Sequence, residues 1–238
     1  MKRLDKELLA RGLVSSRSQA ESYIRLGRVK VNQNVINKTG WSVKPTDNIK
    51  LLVDQQYVSR AGIKLASANE HFRVNFKGKV VLDVGSSTGG FSDYALQFGA
   101  KKIIAVDVGT NQLHPTLRDN KQIELHEQTD IRSIGKLDDT IDIVLVDVSF
   151  ISVREVLVHL SKILKKNVQI VMLLKPQFEV GADLKHKGVI KNEKLRRAIT
   201  SEFEAWAKKS FKIVDKQDSK IAGEKGNLER FYLLQMLS

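Results

Sequence analysis

The spacing of apolar positions changes twice along the chain. Leu4, Leu8, Leu9 and Leu13 recur at helical intervals, and Gly12 ends that helix. Ser15 or Ser16 can cap a second helix bearing Ala20, Tyr23, Ile24 and Leu26, which Gly27 stops. Alternation then takes over in VKVNQNVI, TGWSV and NIKLLV, short strands separated by Asn32 to Asn34, Gly40 and Pro45 to Asn48. This predicts a small α+β module over 1–55, and the polar stretch DQQYVSR at 54–60 predicts a joint to a second module.

From residue 77 the pattern is strand, loop, helix, repeated. KVVLDV, KIIAVDV, IELHEQ, IDIVLVDV and QIVMLLKP predict strands, with amphipathic segments between several of them. Such alternation implies an α/β fold with a doubly wound parallel sheet that takes its ligand at the carboxyl ends of the strands. A late pair, Phe211 to Lys216 and Arg230 to Leu237, can close the sheet, the last strand running antiparallel. Phe203 and Trp206, at helical spacing, predict a core-facing stripe.

Within this pattern VVLDVGSSTGGFSDYAL, residues 80–96, predicts a cofactor loop. A buried strand breaks into Gly85, Ser86, Ser87, Thr88, Gly89 and Gly90, which would let a ligand lie against backbone, and Phe91 starts a helix. Four successive strands end in or near an acid: Asp83, Asp107, Asp130 and Asp147. Each alone could cap a helix; as a set they make a negative rim that disfavours a pyrophosphate. Ser87 also stands where a dinucleotide fingerprint has its middle glycine.

S-adenosylmethionine suits that rim better, being a phosphate-free cation with a ribose diol. Asp107, with Val108 beside it, is placed for the diol; Asp130 can accept from the adenine amino group while the amide of Ile131 donates to a ring nitrogen. A lysine ending a buried strand must pair or work, which singles out Lys175 beside Asp147. Phe91, Phe150 and Phe178 follow site residues and could stack a base or the adenine, although aromatic residues at strand ends often belong to the core.

Composition narrows the setting. The 238 residues are 42% hydrophobic and 28% charged, enough for a large core. There is no cysteine, so neither a disulfide framework nor a thiolate nucleophile is available. No apolar run reaches membrane-spanning length, and MKRLDKELLARG carries charges where a signal peptide is apolar, so a cytoplasmic protein is expected. His71, His114, His126, His159 and His186 show no metal-ligand spacing, and no metal is expected. The net charge of +13 suggests a polyanionic partner; residues 1–60, with twelve basic and five acidic side chains, hold +7 of it.

The first module resembles the S4 RNA-binding domain, through Arg3-Leu4-Asp5, Ser16-Arg17 and Gly27-Arg28-Val29-Lys30-Val31-Asn32. Arg3, Arg17, Arg25, Arg28 and Lys30 are the expected RNA contacts, placed where they could converge on phosphate oxygens. The whole chain resembles the TlyA family of S4-linked, FtsJ-like ribosomal RNA 2′-O-methyltransferases, often labelled hemolysins. SRAGIKL, LDVGSSTGGFSD, AVDVGTNQLHPTLR, DVSFIS, LLKPQFEVG and KGNLERF carry that likeness. It departs at Ala61, where a glycine is usual, and at Lys187 before Gly188, where the family tends to have two glycines, which puts the flexibility of two loops in question.

The resemblance implies an S4-like domain at 1–55, a linker at 56–62 and a methyltransferase domain at 63–238. It implies S-adenosylmethionine as cofactor, and ribosomal RNA in a ribosomal subunit as partner, with methyl passing to a ribose 2′-hydroxyl, that of cytidine in particular. It also implies a catalytic tetrad of Lys64, Asp147, Lys175 and Glu229: Lys175 as base, Asp147 and Glu229 orienting it, Lys64 positioning the ribose. Two other readings stand beside it, a membrane-lytic protein and a noncatalytic ribosome-assembly factor.

Overall fold

A computed structural model describes residues 1–14, 17–25, 27–52, 57–180, 189, 190, 192–223 and 226–237. Ser15 and Ser16, expected as a helix cap, the first part of the expected joint, and Lys187 with Gly188 lie outside the described residues.

The N-terminal module runs β1 (Lys2–Arg3), α1 (Leu4–Ala10), α2 (Arg17–Arg25), β2 (Val29–Val31), β3 (Asn34–Val35), β4 (Ser42–Val43) and β5 (Ile49–Leu51). β2 is the centre of an antiparallel sheet flanked by β3 and β5. Leu4, Leu8, Ala20, Tyr23 and Ile24 from the helices share one apolar cluster with Val29, Val31, Ile36, Val43 and Ile49, the pattern an α+β module requires. One expectation changes: the TGWSV strand does not join this sheet but pairs with β1, matching Lys2 to Val43 and Arg3 to Ser42.

The remainder runs α3 (Arg60–Phe72), β6 (Val80–Val84), α4 (Gly90–Gln97), β7 (Lys102–Val106), α5 (Pro115–Arg118), β8 (Ile123–His126), a 3-10 turn at Ile131–Ser133, β9 (Ile143–Val146), α6 (Val153–Ile163), β10 (Gln169–Leu174), α7 (Pro176–Glu179), α8 (Glu193–Ala207), β11 (Phe211–Asp218) and β12 (Arg230–Met236). Seven strands form one sheet in the order β11-β12-β10-β9-β6-β7-β8. β10, β9, β6, β7 and β8 are parallel, and β12 runs antiparallel to both of its neighbours. The strand order reverses at β6, which opens a crevice at the carboxyl ends of β6, β7 and β9.

Strand residues alternate between two cores. Val81, Ile103, Ala105, Leu145 and Leu173 pack on the face covered by α3 and α4, whereas Leu82, Val84, Ile104, Val146 and Met172 pack with α6 and α8. The expected joint is partly core: Tyr57 is buried, with its ring 5.5 Å from that of Tyr94, and α3 begins at Arg60. A Cβ on Gly62 would fall 2.8 Å from Gly90 O, and one on Gly90 would fall 2.7 Å from Gly62 N. That pair of glycines lets α3 lie directly on α4 and brings its first two turns to the crevice.

Candidate active site

Two adjoining cavities open over the strand ends. The larger, about 280 Å³, is lined by residues that include Gly85, Ser87, Asp107, Val108, Gln112, Asp130, Ile131, Asp147 and Phe150. The smaller, about 160 Å³, adds Ala61, Ser86, Thr88, Phe91 and Lys175, and shares Gly85, Ser87, Asp147 and Ser149 with the first. Ten of the expected cofactor residues therefore face the same space: Gly85, Ser86, Ser87, Thr88, Phe91, Asp107, Val108, Asp130, Ile131 and Asp147.

Gly85 is the close-approach residue of the loop. Its φ is +80°, and a Cβ there would fall 2.8 Å from Asp147 O. Ser87, also at positive φ, donates its N–H to Asp107 Oδ2 at 2.8 Å and its hydroxyl to Gln112 Oε1 at 3.0 Å. Asp107 Oδ1 accepts from Gly109 N at 2.7 Å, so the carboxylate is fixed on the rim with lone pairs remaining for a diol. Asp130 is clasped by Arg132, with Nη2 donating to Oδ2 at 2.7 Å, which holds its carboxyl below the usual range.

Three of the expected cofactor residues sit elsewhere. Asp83 lines neither cavity: it is fully buried and accepts from Ser92 Oγ at 2.6 Å. The reason is strand parity, because Val84 ends β6 and Asp83 shares the α4 face with Val81. Burial pushes its carboxyl up to about 7, with the charges of Asp147 and Asp107 adding to the rise against the Ser92 hydrogen bond. Gly89 and Gly90 line neither cavity and are closely packed: a Cβ on Gly89 would strike Leu113 and Leu117, and one on Gly90 would strike α3.

The four tetrad residues form two ion pairs. Lys175 Nζ lies 2.8 Å from Asp147 Oδ1 and donates to Ser149 Oγ at 2.8 Å. Lys64 Nζ donates to Glu229 Oε2 at 2.6 Å in a buried pair. Glu229 thus orients Lys64, not Lys175 as expected. β10 and β12 bring the pairs together, since their ladder ends at Leu174 opposite Arg230 and the next residues along are Lys175 and Glu229. Ala61, in the first turn of α3 and not in a loop, lines the cavity with Lys175 one helical turn before Lys64.

Ser149 and Glu179 carried no role in the sequence. Ser149 sits inside the DVSFIS motif, and only the fold shows it reaching Lys175. Glu179 accepts from Ser152 Oγ at 2.7 Å and Val153 N at 2.8 Å, tying the loop after β9 to the turn after Lys175. Phe150, 86% exposed at φ +71°, stands 5.3 Å from the ring of Phe178. A bulky residue in that left-handed region is strained, and such strain concentrates at functional loops.

The expected RNA side chains follow a similar logic of support. Asp5, fully buried, accepts from Arg3 Nε and Nη2 at 3.0 Å and from Arg17 Nε at 2.8 Å. One carboxylate therefore braces two half-exposed guanidinium groups, and Arg17 also lies 3.5 Å from Glu21. Arg28 lies 3.7 Å from Glu70 of α3, at the contact between the two modules. Arg25 is exposed and Lys30 is half-buried on β2.

Comparison with known proteins agrees with this architecture. A family model described as FtsJ-like methyltransferase matches residues 57–236, and an S4 domain model matches residues 2–49. The 23S rRNA (cytidine-2′-O)-methyltransferase TlyA of Campylobacter jejuni is 44% identical over 191 residues, 79% of this chain and 74% of that protein. Hemolysin A of Brachyspira hyodysenteriae is 39% identical over 232 residues, 95% of this chain and 97% of that one. A solved protein from Streptococcus thermophilus that carries the hemolysin name superposes with a TM-score of 0.74 at 34% identity, covering 100% of this chain and 89% of that chain. With both domain models in order, and relatives matched over most of their length, the chain belongs to the FtsJ-like methyltransferases, in the S4-linked branch that includes the TlyA proteins.

Proposed function

We propose that this protein transfers a methyl group from S-adenosylmethionine to a ribose 2′-hydroxyl of ribosomal RNA, that of a cytidine, within a ribosomal subunit. The observation that carries the reading is the pairing of Lys175 with Asp147 and of Lys64 with Glu229 beside a strand-end cavity rimmed by Asp107 and Asp130. The Campylobacter relative's name supports the choice of base and atom.

The residues present fit the cofactor. Asp107 suits the ribose diol, the rim at Asp130 and Ile131 the adenine edge, and Gly85 with the small residues after it the methionine end. When bound, S-adenosylmethionine supplies an electrophilic methyl on a sulfonium. Lys175 Nζ, directed by Asp147 and Ser149, accepts the proton of the 2′-hydroxyl in its neutral form. Lys64, held by Glu229, hydrogen-bonds the ribose and stabilises charge developing on its oxygen. The braced Arg3 and Arg17 and the other basic groups of the first module hold the RNA by its phosphates.

The test is methyl transfer. Purified protein with labelled S-adenosylmethionine should label ribosomal RNA in subunits from cells lacking this gene, at a mapped ribose 2′-oxygen. Absence of label on both subunits and on protein-free RNA would overturn the reading. The hemolysin name of two relatives motivates a parallel assay. Among the described residues no helix is long and apolar enough to cross a membrane, and dye release from lipid vesicles without RNA would favour a lytic activity instead.

A further inference from the structure

Trp41 is an unusual residue for its place. It closes the turn that begins at Lys38, just before Ser42 in the first module, and its side chain is not in that module's core: the residue is 46% exposed. Its backbone is pinned from two sides, with Leu4 N donating to Trp41 O at 2.8 Å and Trp41 N donating to Lys38 O at 3.0 Å. The β1–β4 ladder then sets Arg3 opposite Ser42, the next residue along. The Arg3 guanidinium lies along the same turn, its Cζ 3.9 Å from where a Cβ on Gly40 would stand. An exposed indole is thus carried on a hydrogen-bonded backbone one position from the residue paired with the braced Arg3, with exposed Lys2 and Lys38 on the same strands and turn.

That combination is the chemistry of single-stranded nucleic acid recognition: a cationic track for phosphate and an aromatic face for a base. We propose that Trp41 is a stacking site for an unpaired base of the RNA, contacted next to the phosphate held by Arg3. The inference rests on the RNA-substrate reading above and adds to it a second kind of contact, one that releases no counterion. The unpaired base is distinct from the methylated nucleotide, because Trp41 belongs to the first module and lines neither cavity.

Stacking and phosphate contact leave different signatures. Losing a stacked base weakens binding by about tenfold without altering its dependence on salt, whereas losing a phosphate contact lowers the salt slope by about one. The full-length protein is titrated with protein-free 16S and 23S ribosomal RNA across a range of salt. Trp41→Ala should raise Kd about tenfold at every salt concentration, Trp41→Phe should recover most of that loss, and Arg3→Ala should flatten the slope. Leu52→Ala, which removes another exposed apolar side chain of the module, should change nothing. In a Trp206→Phe background Trp41 is the one indole, and its emission should be quenched as RNA binds.

An unchanged Kd for Trp41→Ala, or a loss accompanied by a flattened salt slope, overturns the proposal. Quenching by intact subunits but not by protein-free RNA assigns Trp41 to a protein neighbour and overturns it too. Transfer that persists while quenching is absent sinks the stacking site alone, and absence of transfer in the unsubstituted protein sinks the function.

Discussion

Lys64 Nζ and Glu229 Oε2 stand 2.6 Å apart across 165 residues of chain, with side chains only 10% and 2% exposed. Removing one member of such a pair leaves the other charge buried without compensation, a cost of about 3–5 kcal/mol. Lys64→Ala and Glu229→Ala should each lower Tm by on the order of 10 °C. The double substitution Lys64→Met with Glu229→Gln should recover most of that stability and none of the methyl transfer. Calorimetry beside a transfer assay separates the two effects. Equal loss of Tm in the single and double variants would show that the pair's electrostatics are not what the fold depends on.

Lys175 offers the complementary case, because it lines the smaller cavity and not the larger one. Lys175→Ala should reduce turnover about 10²- to 10⁴-fold, the range for removing a general base, while the affinity for S-adenosylmethionine stays near that of the parent. Ser149→Ala removes a single neutral hydrogen-bond partner and should cost tenfold or less. Isothermal titration with the cofactor and single-turnover transfer distinguish these outcomes. Normal turnover in Lys175→Ala would remove it from the chemistry.

Much of this site was legible along the chain because apolar runs stop at charged residues, and a parallel sheet gathers such strand tips at one edge. That logic located Asp107, Asp130, Asp147 and Lys175 at the cavity. It could not say which carboxylate meets which lysine. Lys64 comes from a helix that begins inside an expected joint, and Glu229 from an antiparallel strand whose register no local spacing encodes. Asp83 was misplaced for a reason the sequence does contain. Successive strand residues face opposite sides, so the acid one position before the strand's end turns toward α4. Trp41 and Ser149 carried no pattern at all, since a lone exposed ring or hydroxyl has no period.

Asp83 makes the protein's stability depend on pH in a defined direction. Its carboxyl is raised from the ordinary value near 4 to about 7 by burial, so between those values the folded state keeps a proton that the unfolded chain has lost. Stability therefore falls as pH climbs through that window, by on the order of 4 kcal/mol for the full shift, and levels off above about 7. Asp83→Asn cannot ionise and can still accept from Ser92. Its Tm relative to the parent should be nearly unchanged at about pH 4 and clearly higher at about pH 8. A difference that stays constant over this range would show that Asp83 does not carry the shift.

The turn that carries Glu229 is as constrained as the carboxylate itself. Arg60 Nη2 donates to Ala222 O at 2.8 Å, which fastens the turn to α3, and Gly223 N donates to Asn227 O at 2.8 Å. A Cβ on Gly223 would overlap Glu229 Oε1 and fall 2.6 Å from its Cδ, so any larger residue must push the carboxylate away from Lys64. Gly226, three residues on, has φ +89° but open space around it. The two glycines therefore separate strain from steric displacement. Gly226→Ala should cost roughly 1 kcal/mol of stability and keep its turnover. Gly223→Ala should lose most of its methyl transfer with cofactor affinity intact, because Glu229 lines neither cavity. Cofactor titration and single-turnover transfer on both variants test this directly. Equal activity in the two would mean that the position of Glu229 does not control Lys64.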